Sequence, residues 1–116
     1  MPTKRYKMRA GDIRPLATGR GACFATDQIT VDARRVCFMY REPPDNPSDS
    51  GWRFFSGFEG DKYINNPDNT SVFDVNTIAN YDRDIIPLID APVGSAFERD
   101  RQTGKFVAVS FRPPTD

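Results

Sequence analysis

A chain of 116 residues has room for one domain. Nine Phe, four Tyr and one Trp supply bulky core material, and a chain of this size hides about 65% of its unfolded surface, enough for a core without metal or disulfide staples. Sixteen basic residues balance sixteen acidic ones and histidine is absent, so a dedicated nucleic-acid binder is not expected and Ser–His or Cys–His nucleophile pairs are excluded.

Residues 1–21 read as a loosely structured basic lead-in with room for one edge strand. The basic start is followed by no hydrophobic segment of the kind a secretory signal needs, and no apolar run approaches the ~18 residues of a membrane span. A cytoplasmic protein with no membrane partner is therefore expected. Residues 22–26 and 36–41 are short apolar runs that predict two strands, most simply an antiparallel pair. The polar connection between them holds a β-prone piece, Ile29-Thr30-Val31. Cys23 and Cys37 lie inside these runs, which suits reduced thiols in a core; a cross-strand disulfide is the alternative.

Residues 42–51 contain Pro43, Pro44 and Pro47 among Asp, Asn, Ser and Gly, which predicts a surface loop. A strand restarts at Trp52, with Trp52 and Phe54 on one face and Arg53 and Phe55 on the other. Bulk on both faces predicts a central strand covered by helices or by a partner. Residues 59–64 read as a short helix stopped by Asn65, Asn66 and Pro67, and residues 71–73 as a brief pairing segment. Asp74 is placed to cap a second short helix that runs to Tyr81. Pro87 interrupts residues 85–89, which predicts an edge strand or an extended segment there. Residues 95–99 and 105–111 form a hairpin whose loop offers Gly104 for a positive φ. The fold expected is α+β: a single compact domain over residues 22–112, mostly antiparallel β-sheet with two or three short helices, and a tail at 113–116.

Charge is unevenly distributed along the chain. Residues 1–41 carry a net +6, residues 42–100 a net −8 and residues 101–116 a net +2. An acidic middle favours a basic partner through complementary fields. Trp52 and Arg53 belong to the residue types most often found as interface hot spots, although Trp is also the largest core filler. Arg53 is expected to pair with Glu42, Asp49 or Glu59. Asp45, Asp49 and Asp61 lack the order and the distal glutamate of a calcium loop, so no metal is expected. Zinc is not expected either, since no CxxC pair is present. Asp82 and Asp84 flank Arg83, as in a solvated turn. Asn76 and Asn80 lie one helical turn apart on one side, where capping and turn satisfaction account for them.

Several stretches together have the quality of a family signature. They are Cys23 with residues 26–31, then residues 39–43, 49–54, 56–57, 66–69, 76–82 and 94–99. In these the chain closely resembles the bacterial immunity protein 33 family, first described as a domain of unknown function and later grouped with polymorphic toxin systems. The likeness covers about residues 22–111 and leaves the lead-in outside. It implies a non-enzymatic, cytoplasmic antidote that binds a cognate toxin and blocks it by occlusion, with no cofactor and no catalytic residues. Candidate partner-binding residues are Glu42, Asp45, Asp49, Trp52, Arg53, Glu59, Asp61, Tyr81 and Asp82. The alternatives are a small-ligand or peptide-binding regulatory domain, with a pocket near Trp52 and Tyr81, and an enzyme built on close carboxylates with Arg53. The oligomeric state is left open.

Overall fold

The computed structural model describes residues 4–112. The chain runs as β1 (Ala22–Thr26), α1 (Asp27–Thr30), β2 (Phe38–Arg41), β3 (Asp49–Phe55), α2 (Asp61–Ile64), β4 (Thr70–Asp74), α3 (Val75–Tyr81), β5 (Ala96–Arg99) and β6 (Phe106–Ala108). Short 3-10 segments at Ala10–Asp12, Pro67–Asn69 and Arg83–Leu88 join them. The six strands form one sheet in the order β4-β1-β3-β2-β5-β6. All neighbours are antiparallel except β1 and β3, which run parallel. The expected α+β domain, with a mostly antiparallel sheet and few short helices, is what forms.

β3 is central because both of its faces carry bulk. Trp52 and Phe54 are buried on one face beneath α3 and the Arg83–Leu88 segment, with Val75, Ile78, Ile85 and Ile89 in the same core. The indole Nε1 of Trp52 donates to the Ile89 carbonyl at 2.9 Å, so the one polar atom of this side chain is satisfied inside. Arg53 and Phe55 face the other way. The strand bulges at Gly51, where φ is +91° and an added Cβ would lie 2.1 Å from the Glu42 carbonyl oxygen. Only glycine fits there.

Local caps behave as the residues dictate. The Asp74 carboxylate accepts from the Asn76 amide at 2.8 Å and opens α3, as expected. The β5–β6 hairpin forms, with Gly104 at φ +74°. The described part of the lead-in has no strand. Instead it is fastened to α3: the Asn76 side chain accepts from the Leu16 and Ala17 amides, each at 2.8 Å, and donates to the Arg14 carbonyl at 2.9 Å. Asn80 adds a bond in each direction to Arg14.

Several local expectations need correction. β1 and β2 do not pair; α1 and the turn after it carry the chain over the core, so the two strands flank β3 from opposite sides. Cys23 and Cys37 therefore do not face each other across a strand pair, and both are free thiols. Residues 29 and 30 close α1 rather than extend a strand, since Ile29 and Thr30 are fully buried and burial overrides β propensity. Pro87 lies inside the Arg83–Leu88 3-10 helix. Its fixed φ suits that geometry, and Asp82 caps the segment by accepting from the Asp84 amide at 3.1 Å. β2 begins at Phe38 and α2 at Asp61, each two residues later than expected.

Candidate functional site: the open face of the sheet

α3 and the Arg83–Leu88 segment cover one face of the sheet, and the other is open apart from α2 at one side. Period-two alternation puts Phe38 and Tyr40 of β2 and Phe55 of β3 on that open face. Phe111, arriving from beyond β6, lies against them at ring-centroid distances of 5.0 Å from Phe38 and 4.7 Å from Tyr40. Tyr40 stacks on Phe55 at 5.8 Å with 12° between ring planes. These rings line a groove of about 620 Å³. Its remaining wall comes from Ile64, Glu59 and Asp61 on one side and Glu98 of β5 on the other. Among the described residues no basic side chain lines it. Burial, reinforced by nearby Glu42, pushes the Tyr40 phenol above its ordinary range, so it stays a neutral donor.

A smaller depression continues the groove towards Phe24, Glu42 and Arg53. Arg53 is only 4% exposed. Its guanidinium donates to Glu42 at 2.6 Å and forks onto Asp49 at 2.9 and 2.8 Å, with Asp45 at 3.7 Å, and it lies 4.5 Å from the Phe24 ring centroid. Burial disfavours the Arg53 charge, but the Asp49 and Glu42 carboxylates outweigh it and hold the guanidinium protonated. In return the Arg53 hydrogen bonds hold the Asp49 carboxyl far below the usual carboxylate range. Asp49 also accepts from the Asp45 and Gly51 amides, each at 2.9 Å, so the same cluster fixes the proline-rich loop.

A second buried arginine works on the helical side. Arg99 donates to Asp82 at 2.7 Å and Asp84 at 2.9 Å, and to the Val36 carbonyl at 3.0 Å, tying β5 to the 3-10 segment. The Asp84 carboxyl is lowered, chiefly by its Arg99 hydrogen bond. Neither Asp49 nor Asp84 is thus a proton donor near neutrality.

The structure brings together Glu42, Asp45, Asp49 and Arg53, and sets Glu59 and Asp61 beside the aromatic groove. Glu59 holds the turn before α2: it accepts from Thr26 Oγ1 at 2.5 Å and from the Ser56 and Gly57 amides at 2.8 and 3.0 Å. Asp61 is exposed at the first position of α2. Trp52, Tyr81 and Asp82 lie away from this face. Trp52 is core, at 1% exposure; the Tyr81 hydroxyl bridges the Met8 amide and the Thr30 carbonyl, each at 2.9 Å; and Asp82 serves Arg99. Among the described residues no group of three or more Cys, Asp or Glu is arranged to hold a metal ion, and no helix is long and apolar enough to cross a membrane.

Sequence reasoning overlooked Phe38, Tyr40, Glu98 and Phe111 as groove residues. The strand alternation that put Phe55 opposite Trp52 applies equally to β2 and β5 and would have found the first three. Phe111 offers no such signal, because it reaches the groove from outside any strand.

The model of one protein family, described as the immunity protein Imm33 domain, matches residues 23–110. Neither a curated protein nor a solved structure matches the chain.

Proposed function

The chain belongs to the immunity protein Imm33 family, and on that premise we propose that it binds a cognate bacterial toxin and blocks it by occlusion, without turnover. The observation that carries this reading is the open aromatic face with its acidic rim. Exposed apolar grooves framed by polar groups are the usual form of a protein-docking surface, and the rim suits a basic partner, which a complementary field steers into contact. Glu42, Asp45, Glu59 and Asp61 are the contact or steering residues on this reading. Asp49 and Arg53 act behind them by holding the loop at residues 42–48 in place. Trp52, Tyr81 and Asp82 support the fold that presents the face. Action in the cytoplasm is part of the same proposal.

The test is protection. Partners are captured from the native host, the toxin among them is identified, and growth is followed when toxin and this protein are expressed together. Protection with a one-to-one complex is expected. Reversing the rim with Asp45→Lys and Asp61→Lys should weaken binding by at least about tenfold at low salt, mostly through slower association. Full protection by the reversed variant would move the contact surface elsewhere, and failure to protect against any captured toxin would end the immunity reading.

A second reading has one observation in its favour. The groove volume of about 620 Å³ lies within the range of small-molecule sites. A ligand- or peptide-binding regulatory role would use the same rings, and a metabolite that saturates the groove while excluding no protein partner would favour it.

A further inference from the structure

We propose that the aromatic groove on the open face is a socket for an arginine side chain presented by the partner protein. This rests on the immunity reading for the identity of the partner, but its chemistry is local. Phe38, Tyr40, Phe55 and Phe111 offer ring faces and edges around the groove, and ring faces attract cations. Asp61 and Glu98 stand at its rim, and among the described residues neither side chain is in an ion pair or a side-chain hydrogen bond. The groove therefore combines aromatic walls with free negative charge and no resident cation.

The fold itself supplies the template. Arg53, in the neighbouring depression that shares Tyr40 and Phe55 with the groove, sits over the Phe24 ring at 4.5 Å while two carboxylates, Glu42 and Asp49, take its donors. Arg99 repeats the arrangement over Phe106 at 4.3 Å with Asp82 and Asp84. The groove likewise combines rings with carboxylates, Asp61 on one side and Glu98 on the other. Arginine fits it better than lysine, because a planar guanidinium stacks on a ring and forks onto carboxylates at the same time. Beyond Phe38 and Glu98 the surface changes sign at Arg35 and Arg101, so an incoming cation is favoured on the Asp61 side of the groove.

The probe is a pair of capped pentapeptides, Gly-Leu-Arg-Leu-Gly and the same peptide with citrulline in place of arginine. Citrulline keeps the shape and loses the charge. Aromatic NMR resonances of the intact protein are followed at low salt. The arginine peptide should shift Phe38, Tyr40, Phe55 and Phe111 saturably and bind at least about tenfold more tightly than the citrulline peptide, a margin that vanishes in Asp61→Asn/Glu98→Gln. Both substitutions are at exposed positions, and an unchanged melting temperature verifies the fold. Equal affinity for the two peptides, or no saturable shift, overturns the socket. Growth protection by the same double variant separates the two ideas. Protection that persists when the peptide test fails leaves immunity standing and removes the socket; arginine-peptide binding without protection against any toxin does the reverse.

Discussion

Trp52 and Arg53 are chain neighbours on β3 that point into different worlds. Trp52 fills the core between the sheet and α3, with its indole nitrogen bonded to Ile89. Arg53 lies under the open face, neutralised on every side, and its value is in fixing a loop that would otherwise wander. Both are hot-spot residue types, and both are spent on structure. Removing Trp52 should therefore register as lost stability, not lost recognition. Trp52→Ala is expected to cost about 3–5 kcal/mol in urea unfolding, since the large cavity it leaves cannot collapse against a sheet. Trp52→Phe should cost less, losing the Ile89 hydrogen bond and part of the ring. A melting temperature that barely moves in the alanine variant would contradict the core assignment.

At the scale of elements, legibility followed locality. The Asp74 cap, the Gly104 turn and the two-faced β3 could be read because each depends on residues close in sequence. What escaped was decided at long range. α1 is helical because Ile29 and Thr30 are buried, and nothing in residues 27–30 announces that. The separation of β1 from β2 depends on where the chain crosses the core, and the groove depends on Phe111 folding back from outside the sheet. Asn76 is the sharpest case. Its place near the start of α3 suggested a cap, yet its amide reaches three backbone groups of the lead-in, some sixty residues away in sequence. Asn76→Ala strands the Ala17 amide and removes one partner each from the Leu16 amide and the Arg14 carbonyl, an expected cost of about 1–3 kcal/mol. Hydrogen exchange should accelerate at Leu16 and Ala17 while the interior of α3 stays protected. Unchanged exchange at those two amides would mean that the lead-in is held by other contacts.

Over the whole molecule, folding pairs part of the uneven charge of the chain. Among the described residues, bases of the first third reach acids of the middle through Arg20–Asp90 and Arg35–Asp84, while Lys4 pairs with Asp27 inside that third. Arg53 and Arg99 pair with the buried acids Asp49 and Asp82, and three acids in no ion pair among the described residues, Glu59, Asp61 and Glu98, line the groove. The same pairing sets the response to acid. A carboxyl whose native pKa lies below its unfolded value of about 3.9 binds fewer protons when folded, so it stabilises above that value and the contribution drains away as pH falls towards the native pKa. Asp49 is lowered in this way, chiefly by its Arg53 hydrogen bonds, and has its side chain 6% exposed. Asp84 is lowered in the same direction but is 55% exposed, so solvent screens much of its effect. Stability should be flat from about pH 8 to pH 5 and decline below about pH 4. Asp49→Asn leaves Arg53 short of a charge partner in a buried cluster, which is expected to cost about 3 kcal/mol near neutral pH. Its acid limb should be shallower, so that the gap between variant and parent narrows steadily below about pH 4, because protonation progressively removes from the parent what the substitution already removed. Thermal unfolding of both proteins across this range makes the comparison. Curves that stay parallel down to the acid limit would show that the acid response belongs to carboxyls other than Asp49.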